Sequence, residues 1–170
     1  MSAPFELIAS PVCFNDEQFD MMWAMKPIEA QQCVVFGKTI DTPRNYKVYG
    51  AQYRFSGQEN EPVAVPAELD AFLAYGNSIL VNWYEDGTKY IGYHSDDERG
   101  LSGRVYAFSY GVSRRFKFKN KETNAVDTIM LDNNSLLVMG ETCQKTHKHS
   151  LPIMKKIKQR RISITVRTIG

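Results

Sequence analysis

Cysteine is scarce in this 170-residue chain: Cys13, Cys33 and Cys143 are its three, odd in number and widely spaced. Such a set does not make a disulfide framework and points to a reducing setting. No apolar run approaches the roughly 20 residues of a membrane helix. The opening Met-Ser-Ala-Pro-Phe-Glu has no basic segment leading into an apolar one, so no signal peptide is expected. The protein is expected inside the cell, in nucleus or cytoplasm. Internal repeats and low-complexity stretches are also missing, which excludes solenoids and linker-like chains. Acidic residues run out early, since none follows Glu141. Residues 1–90 hold 6 Lys and Arg against 12 Asp and Glu, and residues 91–170 hold 15 against 7, so a net charge of +2 hides an acidic front and a basic back. A basic back suits an anionic partner such as nucleic acid, although a solvated face would look the same on charge alone.

What is present is an ordinary globular composition, 43% hydrophobic and 24% charged, of a length that suits one domain over 1–170 acting as a monomer. A helix is predicted over 15–25. Asn15 can cap it, Gln18 stands at the capping-box position, Phe19, Met22 and Trp23 share a face, and Lys26-Pro27 stops it. A second helix is predicted over 66–75, with Leu69, Phe72 and Leu73 as its apolar stripe and Gly76 as its stop. The aromatic-rich stretch 33–57, broken by Asp41-Thr42-Pro43, reads as hairpin strands. From Ser78 onward strand follows strand. Stretches 78–85 and 89–94 flank Asp86-Gly87, a hairpin signal, and 104–112, 115–119, 128–131, 135–139 and 161–169 follow. The expected fold is mainly β (α+β), a sandwich or jelly roll with helices confined to the first half.

Three histidines, His94, His147 and His149, are available for chemistry. His94 and Asp96 are two residues apart, so on a strand they share a face. A distant histidine joining them would give the two-nitrogen, one-oxygen set of non-haem Fe(II) oxygenases, which leaves coordination positions open; a chance pair on a surface turn has the same spelling. In 161–167 Arg161, Ser163, Thr165 and Arg167 alternate with Ile162, Ile164 and Val166. The apolar face seeks the core. Two arginines opposite it would ordinarily be solvated, yet long side chains leaning together from those ends suit a small dicarboxylate. Asn82 and Tyr84, again two apart, would add an amide and a phenol to the same lining, or form a polar pair at a strand edge.

Taken in order, Asn82-Trp-Tyr84, Asp86-Gly87, His94-Ser-Asp96-Asp97-Glu98, Ser135-Leu-Leu, His149-Ser-Leu-Pro and Arg161-x5-Arg167 resemble the AlkB family of Fe(II)- and 2-oxoglutarate-dependent dioxygenases. The resemblance covers about 34–169. Val35-Phe-Gly-Lys38, Pro43-Arg44, Tyr49-Gly50, Tyr53-x-Phe-Ser-Gly57 and Ser150-Leu-Pro-x-x-Lys-Lys156 bring it nearest to the branch that repairs alkylated bases in duplex DNA.

The resemblance implies a double-stranded β-helix (jelly-roll) core over 78–170. Before it, 1–77 would carry flanking helices and a base-flipping hairpin. His94, Asp96 and His149 would ligate Fe(II) and form the catalytic centre, with His147 the rival third ligand because it shares strand parity with His149. Arg161 and Tyr84 would bind the distal carboxylate of 2-oxoglutarate, and Arg167 and Asn82 the end near the metal. Ser163 stands where many members carry Asn, a shorter side chain with one donor. With O2 the chemistry implied is oxidative demethylation of bases such as 1-methyladenine and 3-methylcytosine, releasing formaldehyde, succinate and carbon dioxide. The target base would be flipped out of the stack. Phe36 would fill the gap it leaves, unless it is a core residue. Tyr53 and His94 would sandwich the base, Asp97 and Glu98 would read its exocyclic amine, and Arg44 and Ser56 would lie near it. Lys155 and Lys156 match residues that touch the unflipped strand; Met154 replaces a third basic residue, which weakens the implied duplex preference. Lys158, Arg160, Arg114 and Arg115 are further candidates for phosphate contact. An RNA demethylase of the N6-methyladenine type, another 2-oxoglutarate-dependent hydroxylase and a binding module without catalysis are the alternatives.

Overall fold

A computed structural model describes residues 4–28, 32–52, 61–96 and 100–170. Two antiparallel sheets make its jelly-roll frame. The larger runs in the order β1 (Phe5–Ala9), β10 (Ser135–Met139), β7 (Leu101–Gly111), β12 (Arg161–Ile169), β5 (Ser78–Tyr84), β4 (Asn45–Gly50). The smaller runs β6 (Ile91–His94), β11 (His147–Leu151), β8 (Arg114–Asn120), β9 (Val126–Leu131). A separate hairpin joins β2 (Gln32–Val35) to β3 (Lys38–Asp41). Cys13 and Cys143 are unbonded, and no described helix is long and apolar enough to cross a membrane.

Helix α1 (Asp16–Ala24) forms as its capping box dictates. The Gln18 backbone N–H donates to the Asn15 side chain, and the Gln18 side chain accepts from the Asn15 N–H. The indole of Trp83 donates to the Met22 carbonyl at 2.9 Å and fastens α1 to the larger sheet. The second predicted helix is a 3-10 helix, Ala67–Ala74, not an α-helix. Its buried residues explain the tighter winding: Leu69 and Phe72 stand three apart, so a three-residue turn stacks them on one line, while Leu73 is left exposed. Both helices cover the face of the larger sheet that carries Ile79, Val81, Trp83, Ile162, Ile164 and Val166.

Two expectations need correction. Asp86-Gly87 does not turn a hairpin, because β5 belongs to the larger sheet and β6 to the smaller. The segment crosses between sheets. Gly87 donates to the Ile157 carbonyl and accepts from the Met154 N–H. A Cβ at Gly87 would collide with the Met154 carbonyl oxygen, so glycine is required there for close approach, not for a turn. Nor are helices confined to the first half: α2 (Glu141–Thr146) precedes β11. Six residues, Glu-Thr-Cys-Gln-Lys-Thr, carry no apolar stripe that would have announced it.

Candidate active site

Strand β12 runs between β7 and β5, so both of its edges are paired. The polar face is not solvated but roofed by the smaller sheet, and Arg161, Ser163, Thr165 and Arg167 are all buried. The register sets Arg161 opposite Tyr84 and Ser163 opposite Asn82. Alternation along the two strands thus aims four polar side chains into the space between the sheets. One cavity there is lined by His94, Asp96 and His149 and by Asn82, Tyr84, Arg161, Ser163 and Arg167, with Phe116, Leu131 and Met139 among its apolar walls.

Around Arg161 the lining is cationic. Its guanidinium lies 5.1 Å from the centre of the Tyr84 ring and donates to the Ser109 hydroxyl at 2.9 Å. No carboxylate among the described residues pairs with it, and its Nε has no hydrogen-bond partner. Burial, more than any neighbouring charge, pulls its pKa down to about 10. Beside it, the Asn82 amide donates to the Ser163 hydroxyl at 3.5 Å. Arg44, expected near a base, donates through Nε to Asn82 Oδ1 at 2.9 Å and so abuts this end of the cavity.

At the other end the histidines and the carboxylate meet. Strands β6 and β11 pair with His94 opposite His149, and the two rings lie 4.3 Å apart, centre to centre. Asp96 Oδ1 is 4.0 Å from His94 Nε2, and Oδ2 is 3.6 Å from His149 Nε2. Arg167 donates to Asp96 Oδ1 at 2.6 Å. The donor atoms of the three lie within 4.8 Å of one another. His94 Nδ1 lies 2.8 Å from the Gly92 carbonyl; a carbonyl only accepts, so Nδ1 donates there and Nε2 is the ring nitrogen left toward Asp96. The His149 ring packs on Phe116 and is buried; burial first, and nearby His94 second, push its pKa down to about 3. The buried His149 imidazole is therefore suited to bind a metal in the neutral form. Two nitrogens and one carboxylate from one side fit a facial metal centre.

His147 does not join them. It stands one strand repeat away, with Nδ1 2.6 Å from the Thr146 hydroxyl and its ring edge toward Phe118. Phe36 sits fully exposed at the tip of the β2–β3 hairpin, with a φ of 50° before Gly37 at 76°, so it is not a core residue. Lys155 and Lys156 are exposed in the turn after β11. Tyr53, Ser56, Asp97 and Glu98 lie outside the described residues. Arg160 pairs with Asp20 at 2.8 Å across the rings of Phe19 and Trp23, and Arg114 is wholly buried, so Arg114 does not reach phosphates. Sequence reasoning missed Ser109, which holds Arg161, and Gln144, whose side chain holds the Asp96 backbone.

A profile of the 2OG-Fe(II) oxygenase superfamily matches residues 20–167. The DNA oxidative demethylase ALKBH2 of Homo sapiens is 33% identical over 156 residues, which cover 79% of this chain and 60% of that protein. The alpha-ketoglutarate-dependent dioxygenase alkB homolog 3 of Rattus norvegicus is 33% identical over 104 residues, 55% of this chain and 35% of that protein. The chain thus spans less than two thirds of the length of either. Among solved structures, that of OsALKBH1 aligns with a TM-score of 0.66 at 15% identity, covering 99% of this chain and 98% of the other, a likeness of fold.

Proposed function

The chain belongs to the 2OG-Fe(II) oxygenase superfamily, and from that premise we propose that it demethylates N-alkylated bases of nucleic acid, of the 1-methyladenine and 3-methylcytosine type, in DNA repair. One observation carries this reading: a two-histidine, one-carboxylate cluster and a buried arginine with no carboxylate partner among the described residues line the same cavity. His94, Asp96 and His149 would hold Fe(II). An iron bound there, with O2 and 2-oxoglutarate, supplies oxidation of an N-methyl group that leaves as formaldehyde, with succinate and carbon dioxide as the other products. The remaining work falls to the chain's own residues. Arg161 and Tyr84 take the distal carboxylate of 2-oxoglutarate, and Asn82, Ser163 and Arg167 steady the end near the histidines. Phe116, Leu131 and Met139 keep water from the reacting atoms.

On the substrate side, Phe36 fills the gap left by a flipped base. Tyr53 and His94 hold the base, Asp97 and Glu98 accept from its exocyclic amine, Arg44 and Ser56 flank it, and Lys155 and Lys156 meet the other strand. The exposure of Phe36 at a hairpin tip supports a ring kept ready for a partner. The relative named a DNA oxidative demethylase supports nucleic acid as the substrate class.

The test is mass spectrometry of matched single-stranded DNA, duplex DNA and RNA carrying 1-methyladenine, 3-methylcytosine or N6-methyladenine, with Fe(II) and 2-oxoglutarate. Loss of the methyl group from the first two bases in DNA is expected. Turnover on N6-methyladenine in RNA alone would move the assignment to an RNA demethylase.

A further inference from the structure

The smaller sheet has two faces, and the active-site cavity uses one. On β8, Phe116 and Phe118 point inward and are buried, so Arg115, Lys117 and Lys119 point outward. On β11, His149 points inward and Lys148 is exposed beside it. The register places Lys148 directly opposite Lys119. Like charges opposite one another across a sheet destabilise it, and no described carboxylate offsets this pair. Among the described residues no carboxylate lies within 4.0 Å of Arg115, Lys117, Lys119 or Lys148. The partners of β8 on the edge strand are Val126, Thr128 and Met130, none of them acidic. The exposed ring of Tyr93 lies on the same face, 5.5 Å from the Lys119 ammonium.

We propose that this outer face, carried by Arg115, Lys117, Lys119 and Lys148, is a docking surface for the phosphate backbone of a nucleic-acid strand. The three cations on β8 repeat every two residues, about 6.8 Å apart on an antiparallel strand. Such a row follows an extended polyanion better than it follows a single phosphate or a compact acidic ligand. Tyr93 adds a π-face on which an unpaired base can stack. A bound strand also supplies the counter-charge that the Lys119–Lys148 pair lacks. The surface lies on the opposite side of the wall from His149, so it holds nucleic acid outside the reaction centre. The inference rests on the proposed nucleic-acid substrate, of which it names a separate contact.

The experiment is fluorescence anisotropy of unmethylated single-stranded and duplex oligonucleotides, titrated with the protein between 50 and 200 mM salt. The double variant Lys117→Ala/Lys148→Ala is compared with wild type and with Lys26→Ala as a distant control. Removal of two phosphate contacts should flatten the slope of log affinity against log salt by about 1.4 for single strands or about 1.8 for duplex. It should also weaken binding at least about tenfold at the lowest salt, leave Lys26→Ala like wild type, and leave the melting temperature equal or higher. A double variant with wild-type affinity and slope overturns the proposal. Because the oligonucleotides carry no methyl group, the outcome is independent of demethylation. Binding lost in the variant supports this surface even if methylated DNA proves not to be a substrate, and unchanged binding sinks it even if demethylation is observed.

Discussion

The side-chain oxygen of Gln144 accepts a hydrogen bond from the backbone N–H of Asp96 at 2.8 Å, and both residues are buried. Gln144 belongs to α2, just before the strand that carries His149, so one side chain ties the carboxylate's backbone to the element that delivers the second imidazole. The Gln144 amide leans on the sulfur of Met139 at 3.6 Å, which fixes which end faces Asp96. Gln144→Met keeps the volume and removes the acceptor. An outer partner of a metal ligand commonly carries about ten- to a hundredfold in metal affinity. Titration of the metal-free protein with Mn(II) should show a loss of that order. A lower melting temperature with unchanged metal affinity would make Gln144 a support of the fold and not a positioning residue.

The rival histidines separate in the same titration. His149 sits in the donor cluster and His147 is held by Thr146 outside it. His149→Ala should abolish Mn(II) binding and 2-oxoglutarate turnover. His147→Ala should bind the metal within about threefold of wild type, since no lost contact reaches the cluster. Metal loss in both variants would place His147 in the site.

Arg161 makes a prediction of opposite sign for fold and function. It is a buried cation with no carboxylate partner among the described residues, and such a charge costs stability until an anion joins it. Without 2-oxoglutarate, Arg161→Leu should therefore melt at or above the wild-type temperature. With 2-oxoglutarate at about 100 times Kd, wild type should gain about 2.7 kcal/mol of stability and the variant almost none. Calorimetry in both conditions reads the pair of effects. A variant that keeps the ligand-induced gain would remove Arg161 from cosubstrate binding.

Phe36 can be replaced without loss of packing. Its ring buries nothing, and its backbone has a positive φ uncommon for a bulky side chain. Phe36→Ala should leave the melting temperature unchanged. If the ring fills a gap in a duplex, activity on methylated duplex should fall at least about tenfold while single-strand activity holds, since unstacking is worth a few kcal/mol in duplex and less in a single strand. Equal losses on both would point to a single-stranded substrate.

These residues differ in how openly the sequence declares them. Alternation in 161–167 assigned the two faces of β12 correctly; strand spacing and turn residues left a sandwich or a jelly roll open, and the family resemblance pointed to the jelly roll. The burial of Arg161 and Arg167 was not legible from alternation, because a strand does not say whether its polar face meets water or a second sheet. His94 and Asp96 shared a face by spacing alone, but their meeting with His149 depends on the pairing of β6 with β11, which no local pattern encodes. Ser109 and Gln144 carry no motif. A serine in a hydrophobic strand and a glutamine in a six-residue helix become informative only when the partner they touch is known. Asp86-Gly87 misled for the same reason, since its glycine answers a distant backbone.

Arg114 shows the same limit and yields a prediction that separates fold from binding. On charge alone it belonged with the phosphate contacts. In the structure its guanidinium is wholly buried and donates to three carbonyl oxygens, of Asp86 at 3.3 Å, Lys89 at 2.8 Å and Pro152 at 2.9 Å. Burial lowers its pKa, and the nearby Tyr84 and Asp86 act against that effect. The residue thus clasps the crossing from β5 to β6 to the loop that follows β11, the two segments that flank the histidines. Arg114→Met would leave three carbonyls without their donor, at a cost of at least about 3 kcal/mol, or on the order of 10 °C in melting temperature for a domain of this size. Arg114→Lys should recover little, because one ammonium cannot span three acceptors arranged for a planar fork. Oligonucleotide affinity of the folded Arg114→Lys protein should match wild type. A phosphate-binding role would instead show as a flatter salt dependence of binding with the melting temperature preserved, and that result would return Arg114 to the nucleic-acid surface.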